Sequence, residues 1–455
     1  MEKQSLQAIA AALHCPCAIK AEISSLCTDS REAGPGALFV ALPGERVDGH
    51  DYINRALAAG AAAAIAEHDG DYTPADRVLH VPSSLRAILE IAAFYRSTMP
   101  AKVIGITGSV GKTTTKEMVA AVMESAFRTI KTEGNQNNEI GAPKTLLTIK
   151  PDTEVAVVEM GMSAPREIAD LCYAAKPMMG IITNIGVSHI ERLGSRENIL
   201  KAKLELADAL PDGAPLLLCS DNDLLSGVTI PRLRIIRYGL HDPDADITAT
   251  IVSTTPLSTN FILHAEGQSR RATIPGTGEH LVLNALAAFG AGRCMGIPAE
   301  RIIEALKNYT PAGRRQKVVE HEGITMVEDC YNASPDSMKA AIRTLAQFPC
   351  EGRRIMVAAD MLELGEIAEE SHREIGTLCA ENGIDTLLAW GPLSRYAVEA
   401  AEGAGLERAK HFAEKEELCR YLTDYARRGD VIWCKASHGM ALEEVINWFY
   451  QNYRA

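Results

Sequence analysis

The sequence predicts an α/β protein of three domains: a small mixed α/β N-terminal domain, a central doubly wound sheet with a phosphate-binding loop (P-loop), and a C-terminal Rossmann-like sheet. Two observations support this prediction. Short apolar runs alternate with helical patterns in two separate series, and strands joined by helices form parallel sheets with right-handed crossovers. The length of 455 residues also exceeds what one compact core supports.

The N-terminal domain is expected over residues 1–98, which are rich in alanine and contain short strand-like pieces such as 37–42. The central domain is expected over residues 99–312. Its strands are predicted at 103–107, 155–159, 180–184 and 216–219. The pattern then changes to β-branched alternation at 246–274, which indicates a small antiparallel addition, and a helix is predicted at 280–295.

The C-terminal domain is expected over residues 313–455, after a linker formed by Pro311, Ala312 and Gly313. Helical stretches separate its predicted strands, so we expect these strands to be parallel. They are predicted at 324–328, 355–359, 386–390 and 431–435.

Composition and charge narrow the class of protein. The formal net charge of −13 argues against broad nucleic-acid binding, which needs a basic face. No signal peptide is evident, and no apolar run reaches the roughly 18 residues of a transmembrane helix. The eleven cysteines are scattered and lack zinc-site spacing, which favours reduced thiols in a cytoplasmic protein.

The strongest local signal is KVIGITGSVGKTTTKE at 102–117, where an apolar strand leads through a glycine loop into a helix. Glycines allow backbone N–H groups to approach phosphate oxygens, Lys112 supplies a positive charge, and Thr113 can bind Mg²⁺. Ile106 stands where the strict P-loop formula has its first glycine, and Gly105 comes one place early. The alternative is a plain glycine turn, but the strand–loop–helix context favours nucleotide binding.

Three further side chains are expected at the carboxyl ends of strands, where a doubly wound sheet places its site. They are Glu159, His189 and Lys203. Glu159 and His189 suggest a magnesium site, with the carboxylate as a hard oxygen ligand and the imidazole as a less usual nitrogen ligand. Each residue also has a structural explanation. Glu159 could cap a helix beginning near Ala164, His189 could be an ordinary loop histidine, and Lys203 could lie on a solvated helix face.

Several longer segments together resemble the Mur ligase family. In chain order they are TDSREAGPGALFVALPGERVDGHDYI (28–53), GNQNNEIGAPKTLL (134–147), VVEMGMSAPREI (157–168), TNIGVSHIERLGSRENILKAKLEL (183–206), HLVLNALAA (280–288), EDCYNASPDSM (328–338) and DMLELG (360–365). The resemblance covers essentially the whole chain in the family's order.

The resemblance implies an ATP-dependent amide ligase that joins D-alanyl-D-alanine to UDP-N-acetylmuramoyl-tripeptide through an acyl phosphate. This reaction is the final cytoplasmic step in assembling the pentapeptide precursor of peptidoglycan. The resemblance also implies ATP and Mg²⁺ as cofactors, a monomer, and neither nucleic-acid binding nor membrane insertion. It leaves open whether the third residue of the tripeptide is meso-diaminopimelate or L-lysine.

The resemblance also implies a set of site residues. Lys112, Glu159, His189 and Lys203 are the implied catalytic residues, and Thr113, Glu159, His189 and a carbamylated Lys203 the implied metal ligands. Lys201 lies roughly opposite Lys203 on the predicted helix, so only one of the two can face the site. The implied nucleotide-binding residues are Thr107, Gly108, Ser109, Val110, Gly111, Lys112, Thr113, Thr114, Asn284, Arg314, Asp329 and Asn332. The implied substrate-binding residues are Ser30, Arg31, Asn137 and Asn138, although Ser30 and Arg31 also suit an ordinary turn.

Three positions depart from the family pattern. Ser334 replaces the second asparagine of the motif YNAN, Ala359 stands where glycine is usual before Asp360, and 435–440 reads KASHGM in place of KGSR and methionine. Three alternative functions stay open on the sequence: another Mur-type ligase, a folylpolyglutamate-type ligase, and a P-loop kinase.

Overall fold

The computed structural model describes residues 1–44, 47–311 and 313–454. Four residues lie outside this description: Glu45 and Arg46 of the N-terminal motif, Ala312 of the predicted linker, and Ala455. The chain divides into two compact units. The first comprises Met1–Thr107, Ala126–Ile181 and Lys203–Leu216, and the second comprises Gly108–Ser125, Ile182–Ala202 and Leu217–Ala455.

The N-terminal part of the first unit contains a four-stranded parallel sheet. Its strand order is Ser25–Cys27, Ala37–Val40, Ala63–Ala66 and Val78–His80. The two middle strands are fully buried, which suits their alanine, valine and phenylalanine side chains. A short antiparallel pair, Gln4–Ser5 with Glu22–Ile23, forms a separate two-stranded sheet in this region. Its helices and helical turns are Leu6–Ala12, Ser30–Glu32, Gly49–Tyr52, Ile53–Ala58, Ala75–Arg77 and Ser84–Ser97.

The remainder of the first unit contains strands of the central sheet in the order Met179–Ile182, Lys102–Thr107, Val155–Glu159 and Thr129–Lys131. Both neighbours of Val155–Glu159 run parallel to it. Every residue of that strand is buried, as expected for a parallel strand covered on both faces. The accompanying helices are Gly141–Leu146 and Glu167–Ala175. The helix Arg196–Asp208 and the strand Pro215–Cys219 cross the division between the units.

In the second unit, the predicted antiparallel addition is confirmed. Ser258–Ala265 pairs antiparallel with both Ile247–Thr255 and Gln268–Pro275, and its residues alternate between buried and partly buried. Arg234–Gly239 pairs parallel with Ile247–Thr255. The helices of this part are Lys112–Glu124, Ile190–Leu193, Asp223–Ser226, Glu279–Cys294 and Ala299–Lys307.

A six-stranded sheet forms the C-terminal part of the second unit. Its order is Lys317–His321, Ile324–Glu328, Val431–Lys435, Arg354–Ala359, Thr386–Trp390 and Ala409–Phe412. Only the first pair is antiparallel, and all four predicted strands are present. Its helices and helical turns are Pro335–Gln347, Gly365–Ile367, Ala368–Glu381, Ser394–Gly403, Lys415–Tyr425, His438–Met440 and Glu443–Asn452. Apolar cores that include Trp433 and Phe449 fill this region. The parallel strands and the helices between them confirm the predicted Rossmann-like sheet.

Several predicted boundaries differ from the structure by one or more residues, and two of them bear on the predicted site. The strand predicted at 180–184 ends at Ile182, which leaves Thr183 and Asn184 in a loop. The helix expected near Ala164 begins at Glu167. Among the described residues, no helix has the length and apolar character needed to span a membrane.

Candidate active site

The predicted P-loop joins the buried strand Lys102–Thr107 to the helix Lys112–Glu124. Gly108 has φ +151°, and a Cβ there would overlap the Thr183 hydroxyl. Gly111 has φ +82° and caps the helix in the left-handed conformation. Both positions therefore require glycine, and the loop backbone is presented at the N-terminal, electropositive end of the helix.

The residue that departs from the strict P-loop formula lies inside the strand rather than the loop. Ile106 is fully buried, and a Cβ on the preceding Gly105 would lie 2.8 Å from Leu206 Cδ1. Gly105 thus leaves room for a neighbouring side chain. The turn itself depends on Gly108 and Gly111.

Side chains that follow the strand Met179–Ile182 brace the P-loop. The amide of Val110 donates to Asn184 Oδ1 (2.8 Å), and the Thr183 hydroxyl donates to the Val110 carbonyl. The amide of Gly186 donates to Ser109 Oγ (2.9 Å). Thr183 and Asn184 were not among the predicted site residues, and the sequence placed them at the end of a predicted strand.

Lys112 lies over the loop that it follows in sequence. Its Nζ donates to the carbonyl oxygens of Gly108 (2.8 Å) and Ser109 (3.3 Å). The ammonium is therefore held near the predicted phosphate position by backbone carbonyls. Thr113, the next residue, is buried.

Asn284 lies beside the start of the P-loop helix. Its Oδ1 accepts from Thr115 Oγ1 (3.1 Å) and would lie 3.0 Å from a Cβ on Gly111. The helix Glu279–Cys294 brings Asn284 there, and the side chain is only 7% exposed. The structure therefore brings this predicted nucleotide-binding residue to the P-loop.

His189 faces a carboxylate that the sequence did not assign to the site. Its Nδ1 lies 2.7 Å from Glu363 Oε2. Asp336 packs against the same loop, since a Cβ on Gly186 would lie 2.0 Å from Asp336 Oδ2. Burial raises the pKa of the Asp336 carboxyl. The only sequence signals for these two acids were the motifs DMLELG and EDCYNASPDSM, in which neither had a stated role.

Three predicted nucleotide-binding residues contact side chains at the carboxyl ends of the strands Ile324–Glu328 and Val431–Lys435. Arg314 Nε is 3.4 Å from Glu328 Oε2, and its Nη2 donates to Asn447 Oδ1 (2.9 Å). Lys435 Nζ donates to Asp329 Oδ2 (2.9 Å) and to the carbonyl of Asn332 (3.1 Å). Arg314 thus forms an ion pair with Glu328, and Asp329 forms an ion pair with Lys435.

In the first unit, Glu159 and Asn137 are in direct contact. Glu159 is 1% exposed, and its Oε1 accepts from Asn137 Nδ2 (2.8 Å). The Glu159 amide donates to Thr132 Oγ1 (3.0 Å). Asn138 Oδ1 instead accepts from the amides of Ile140 and Gly141, so it shapes the start of a helix.

The two lysines of the helix Arg196–Asp208 differ in exposure. Lys203 is 2% exposed, whereas Lys201 is exposed. This difference agrees with the prediction that only one of them faces inward. The neighbouring Glu205 accepts hydrogen bonds from the amides of Arg166 (2.7 Å) and Ala169 (3.0 Å).

Ser30 and Arg31 form a short helical turn capped by Asp29. The Asp29 carboxylate accepts from the Arg31 side chain and amide, and these hydrogen bonds lower the pKa of Asp29 to about 2. Ser30 is buried and Arg31 is exposed. Locally this is the ordinary turn allowed by the sequence, and the substrate-binding role stays a prediction.

Among the departures from the family pattern, Ser334 has a local structural explanation. Ser334 caps the helix Pro335–Gln347 through a capping box with Ser337. Asp360 accepts from the amide and hydroxyl of Ser394 (2.7 and 2.8 Å). Ser437 accepts from the Leu362 amide (3.0 Å), so the loop at 435–440 is tied to the motif DMLELG.

Three family models match the chain. They are described as Mur ligase family, catalytic domain (residues 22–99), Mur ligase middle domain (106–292) and Mur ligase, glutamate ligase domain (313–438). A UDP-N-acetylmuramoyl-tripeptide–D-alanyl-D-alanine ligase from Bacillus subtilis is 38% identical, over 93% of this chain and 92% of its own.

Solved structures agree with these matches. A crystal structure of MurF from Acinetobacter baumannii has a TM-score of 0.92 and 29% identity, and covers 99% of both chains. The MurF ligase from Thermotoga maritima, solved in complex with ADP, has a TM-score of 0.86 and 29% identity, over 94% of this chain and 97% of its own.

Proposed function

Because the chain belongs to the Mur ligase family, we propose that it is the ATP-dependent ligase that joins D-alanyl-D-alanine to UDP-N-acetylmuramoyl-tripeptide. The observation that carries this proposal is the 38% identity to a ligase of that name over 93% of the chain. The braced P-loop supports the use of ATP. The reaction forms the pentapeptide precursor of peptidoglycan. We propose that the protein acts in the cytoplasm and as a monomer.

The chemistry requires activation because an ionised carboxylate is a poor electrophile. A carboxylate oxygen of the tripeptide attacks the γ-phosphorus of ATP, the bond to ADP breaks, and an acyl phosphate forms. The free amine of D-alanyl-D-alanine then attacks the acyl carbon. Phosphate leaves, the nitrogen loses a proton, and the new amide remains.

The protein's part is positioning and charge stabilisation. We assign Lys112 to the β- and γ-phosphates, and the loop from Thr107 to Thr114 to the phosphate oxygens. Asn284 lies next to this loop and completes it on one side. We assign a nucleotide-binding role to three residues of the C-terminal domain, Arg314, Asp329 and Asn332. We propose domain boundaries near residues 98 and 312.

The residues present suit a divalent cation. Thr113, Glu159 and His189 offer a hydroxyl, a carboxylate and an imidazole, and the Glu159 carboxylate is buried and oriented by Asn137. Lys203 is buried as well, and carbamylation would turn its ammonium into a carboxylate-like anion. Bound Mg²⁺ would neutralise charge on the phosphates. Ser30, Arg31, Asn137 and Asn138 are assigned to the UDP-sugar.

The test measures phosphate release from ATP with UDP-N-acetylmuramoyl-tripeptide, with and without D-alanyl-D-alanine, and identifies the product by mass. Release that depends on the dipeptide and yields the pentapeptide is expected. Release without dependence on the dipeptide would instead indicate a P-loop kinase or phosphatase. Tripeptides ending in meso-diaminopimelate and in L-lysine, compared by kcat/KM, identify the third residue.

A matched pair of variants tests the P-loop. Lys112→Ala should abolish ligation and leave the fold intact, because its ammonium lies over the loop. Lys102→Ala removes an exposed lysine from the start of the strand that leads into the P-loop and should ligate normally. Near-normal ligation by Lys112→Ala would remove the P-loop from the mechanism.

A further inference from the structure

Lys144, a lysine without a predicted role, joins two segments to which the resemblance gives a role in substrate binding. Its Nζ donates to Thr28 Oγ1 (3.4 Å), across 116 residues of sequence. Thr28 begins the motif that contains Ser30 and Arg31, and Lys144 lies in the motif GNQNNEIGAPKTLL. Both residues of the contact are partly exposed. The contact therefore brings a cation to the predicted substrate-binding turn.

The sheet of the N-terminal part places this contact where parallel sheets bind ligands. Thr28 directly follows the strand Ser25–Cys27, which pairs parallel with its neighbour, so it lies at the carboxyl edge of the sheet. Burial and the charge of Glu32 raise the pKa of the Cys27 thiol to about 11, and the charge of Lys144 opposes this shift. The Lys144 ammonium is thus close to the end of the strand.

The local structure around Lys144 holds it in place. Asn138 Oδ1 accepts from the amides of Ile140 (3.2 Å) and Gly141 (2.8 Å), and so fixes the start of the helix Gly141–Leu146. Every residue of this helix except Lys144 is buried. The helix is therefore held by its packing, and the Lys144 side chain extends from it toward Thr28.

The charge of Lys144 has no acidic partner in the described part of the chain. No carboxylate oxygen of the described residues lies within 4.0 Å of its Nζ. Arg31 differs, because its guanidinium forms a bidentate pair with Asp29 and its side chain is 78% exposed. A cation that is partly removed from water is normally paired. In a chain of net charge −13, Lys144 is therefore suited to an anionic ligand.

The same segment indicates which anion of the substrate reaches Lys144. Asn137, nearer the start of the segment, donates to Glu159, which is assigned to the divalent cation. The carboxylate that attacks ATP must lie near that cation. In UDP-N-acetylmuramoyl-tripeptide the reacting carboxylate and the diphosphate lie at opposite ends of the molecule. A substrate with its carboxylate near Glu159 and its nucleotide on the N-terminal domain thus brings its diphosphate toward Lys144 and Thr28.

We propose that Lys144 binds the diphosphate of the UDP-sugar substrate, next to the Thr28 hydroxyl. Lysine binds phosphate oxygens as a point charge. This inference rests on the proposed function for the identity of the substrate. Arg31, which is paired with Asp29, is expected to contribute less to the affinity for the diphosphate.

The first measurement uses UDP and, in parallel, UDP-N-acetylmuramoyl-tripeptide as probes. Each is titrated into the protein by isothermal calorimetry, with Mg²⁺ and a non-hydrolysable ATP analogue present to occupy the P-loop. Lys144→Ala should weaken the binding of both by about 10- to 100-fold, the loss expected for a hydrogen bond to a charged group. Lys150→Ala removes an exposed lysine shortly after the same helix and is the matched control, which should bind both probes normally.

Two further variants separate the charge from the fold. Lys144→Arg keeps the cation and should retain most of the UDP affinity. Lys144→Gln keeps a polar side chain without the charge and should lose as much affinity as Lys144→Ala. Added KCl should weaken UDP binding more steeply in the unmodified protein than in Lys144→Gln, because salt screens a charge pair that the variant lacks. If Lys144→Ala is misfolded, equal UDP affinities of the arginine and glutamine variants would overturn the inference.

The outcomes separate this inference from the proposed function. Unchanged UDP affinity and salt dependence in Lys144→Ala, when the unmodified protein forms the pentapeptide, would overturn the inference alone. Weaker binding of the nucleotide-sugar with unchanged binding of UDP would place Lys144 at the sugar or peptide and overturn the diphosphate contact. Lys144-dependent binding of UDP by a protein that never forms the pentapeptide would uphold the contact and overturn the function. Failure of the unmodified protein to bind either probe would overturn both.

Discussion

Asn137 donates a hydrogen bond of 2.8 Å to the buried Glu159 carboxylate, and so connects the motif GNQNNEIG to the carboxyl end of the strand Val155–Glu159. The resemblance implied a substrate-binding role for Asn137, and that role stays a prediction. The contact adds an orienting role. An amide N–H at Oε1 fixes the rotamer of a carboxylate that is 1% exposed.

We therefore expect Asn137→Ala to lower kcat by about 10- to 100-fold and to raise the Mg²⁺ concentration needed for half-maximal ligation, because the Glu159 carboxylate loses its orienting partner. Gln136→Ala, next to it and exposed, is the control and should behave like the unmodified enzyme. A rise confined to the KM for the nucleotide-sugar, with the Mg²⁺ requirement unchanged, would contradict the orienting role.

The buried pair formed by Lys435 and Asp329 leads to a stability prediction. The side chains are 5% and 10% exposed, and Asp329 Oδ2 also accepts from Trp433 Nε1 (3.3 Å). Lys435→Met leaves the carboxylate buried without its cation, which should destabilise the C-terminal region by about 3–5 kcal/mol. All three tryptophans lie at positions 390–448, so tryptophan fluorescence during urea unfolding reports on this region.

Two companion variants make that measurement specific. The double variant Lys435→Met with Asp329→Asn should recover part of the lost stability, because it removes the unpaired charge. Lys317→Met, at an exposed position of the same sheet, should change the free energy of unfolding by less than about 0.5 kcal/mol. Equal losses in the single and double variants would show that packing, not charge, is responsible.

His372 should make stability depend on pH. Burial lowers the pKa of this histidine, and hydrogen bonding to the Ala368 carbonyl and the charge of Asp360 only partly oppose that shift. The folded pKa thus lies below the unfolded value of about 6.5, so the unfolded chain binds more protons as the pH falls through this range. Acid should therefore destabilise the fold through this residue, and the stability should return as the pH rises to neutral.

The measurement compares the change of Tm between about pH 7 and pH 5 in the unmodified protein and in His372→Gln. Glutamine keeps a polar partner for the Met361 amide but does not titrate, so the Tm of this variant should fall less. His68→Gln, whose side chain is 57% exposed, is the control and should keep the original slope. An identical slope in His372→Gln would exclude His372 as a source of the acid sensitivity.

The sequence could predict those parts of the site in which the signal is local. The P-loop was predictable because strand, glycine turn and helix follow one another, and Gly108 and Gly111 have the conformations that this spacing requires. The family and the three-domain α/β fold were also predicted and are confirmed by the comparisons. The parallel C-terminal strands were found because buried parallel strands read as continuous apolar runs.

Contacts between distant segments could not be predicted in the same way. Nothing near Glu363 indicates that it meets His189, and nothing near Asn137 indicates that it meets Glu159, because each contact depends on the packing of separate elements. The end of a strand depends on tertiary pairing as well. Thr183 has the β-branched side chain typical of strands, yet it turns toward Val110 and supports the P-loop.

Lys203 supports a prediction about charge. It is 2% exposed, whereas Lys201, two residues earlier on the same helix, is exposed. If Lys203 acts as a carbamate, the useful group is an anionic oxygen pair, and a small carboxylate can supply similar oxygens in the space that Lys203→Ala leaves. Formate or acetate should therefore restore part of the ligation activity of Lys203→Ala.

Two other lysine variants make the rescue diagnostic. Lys112→Ala should gain nothing from formate, because its lost group is a cation that no acid can replace. Lys201→Ala should ligate normally without any additive, since its side chain is exposed to solvent. Full activity of Lys203→Ala without a carboxylate, or ¹³C-bicarbonate labelling that detects no carbamate in the active enzyme, would overturn the assignment. Rescue of Lys203→Ala alone, growing with formate concentration, would identify an anion as the working form of this residue. An added carboxylate is negatively charged, so it could not replace a positively charged ammonium.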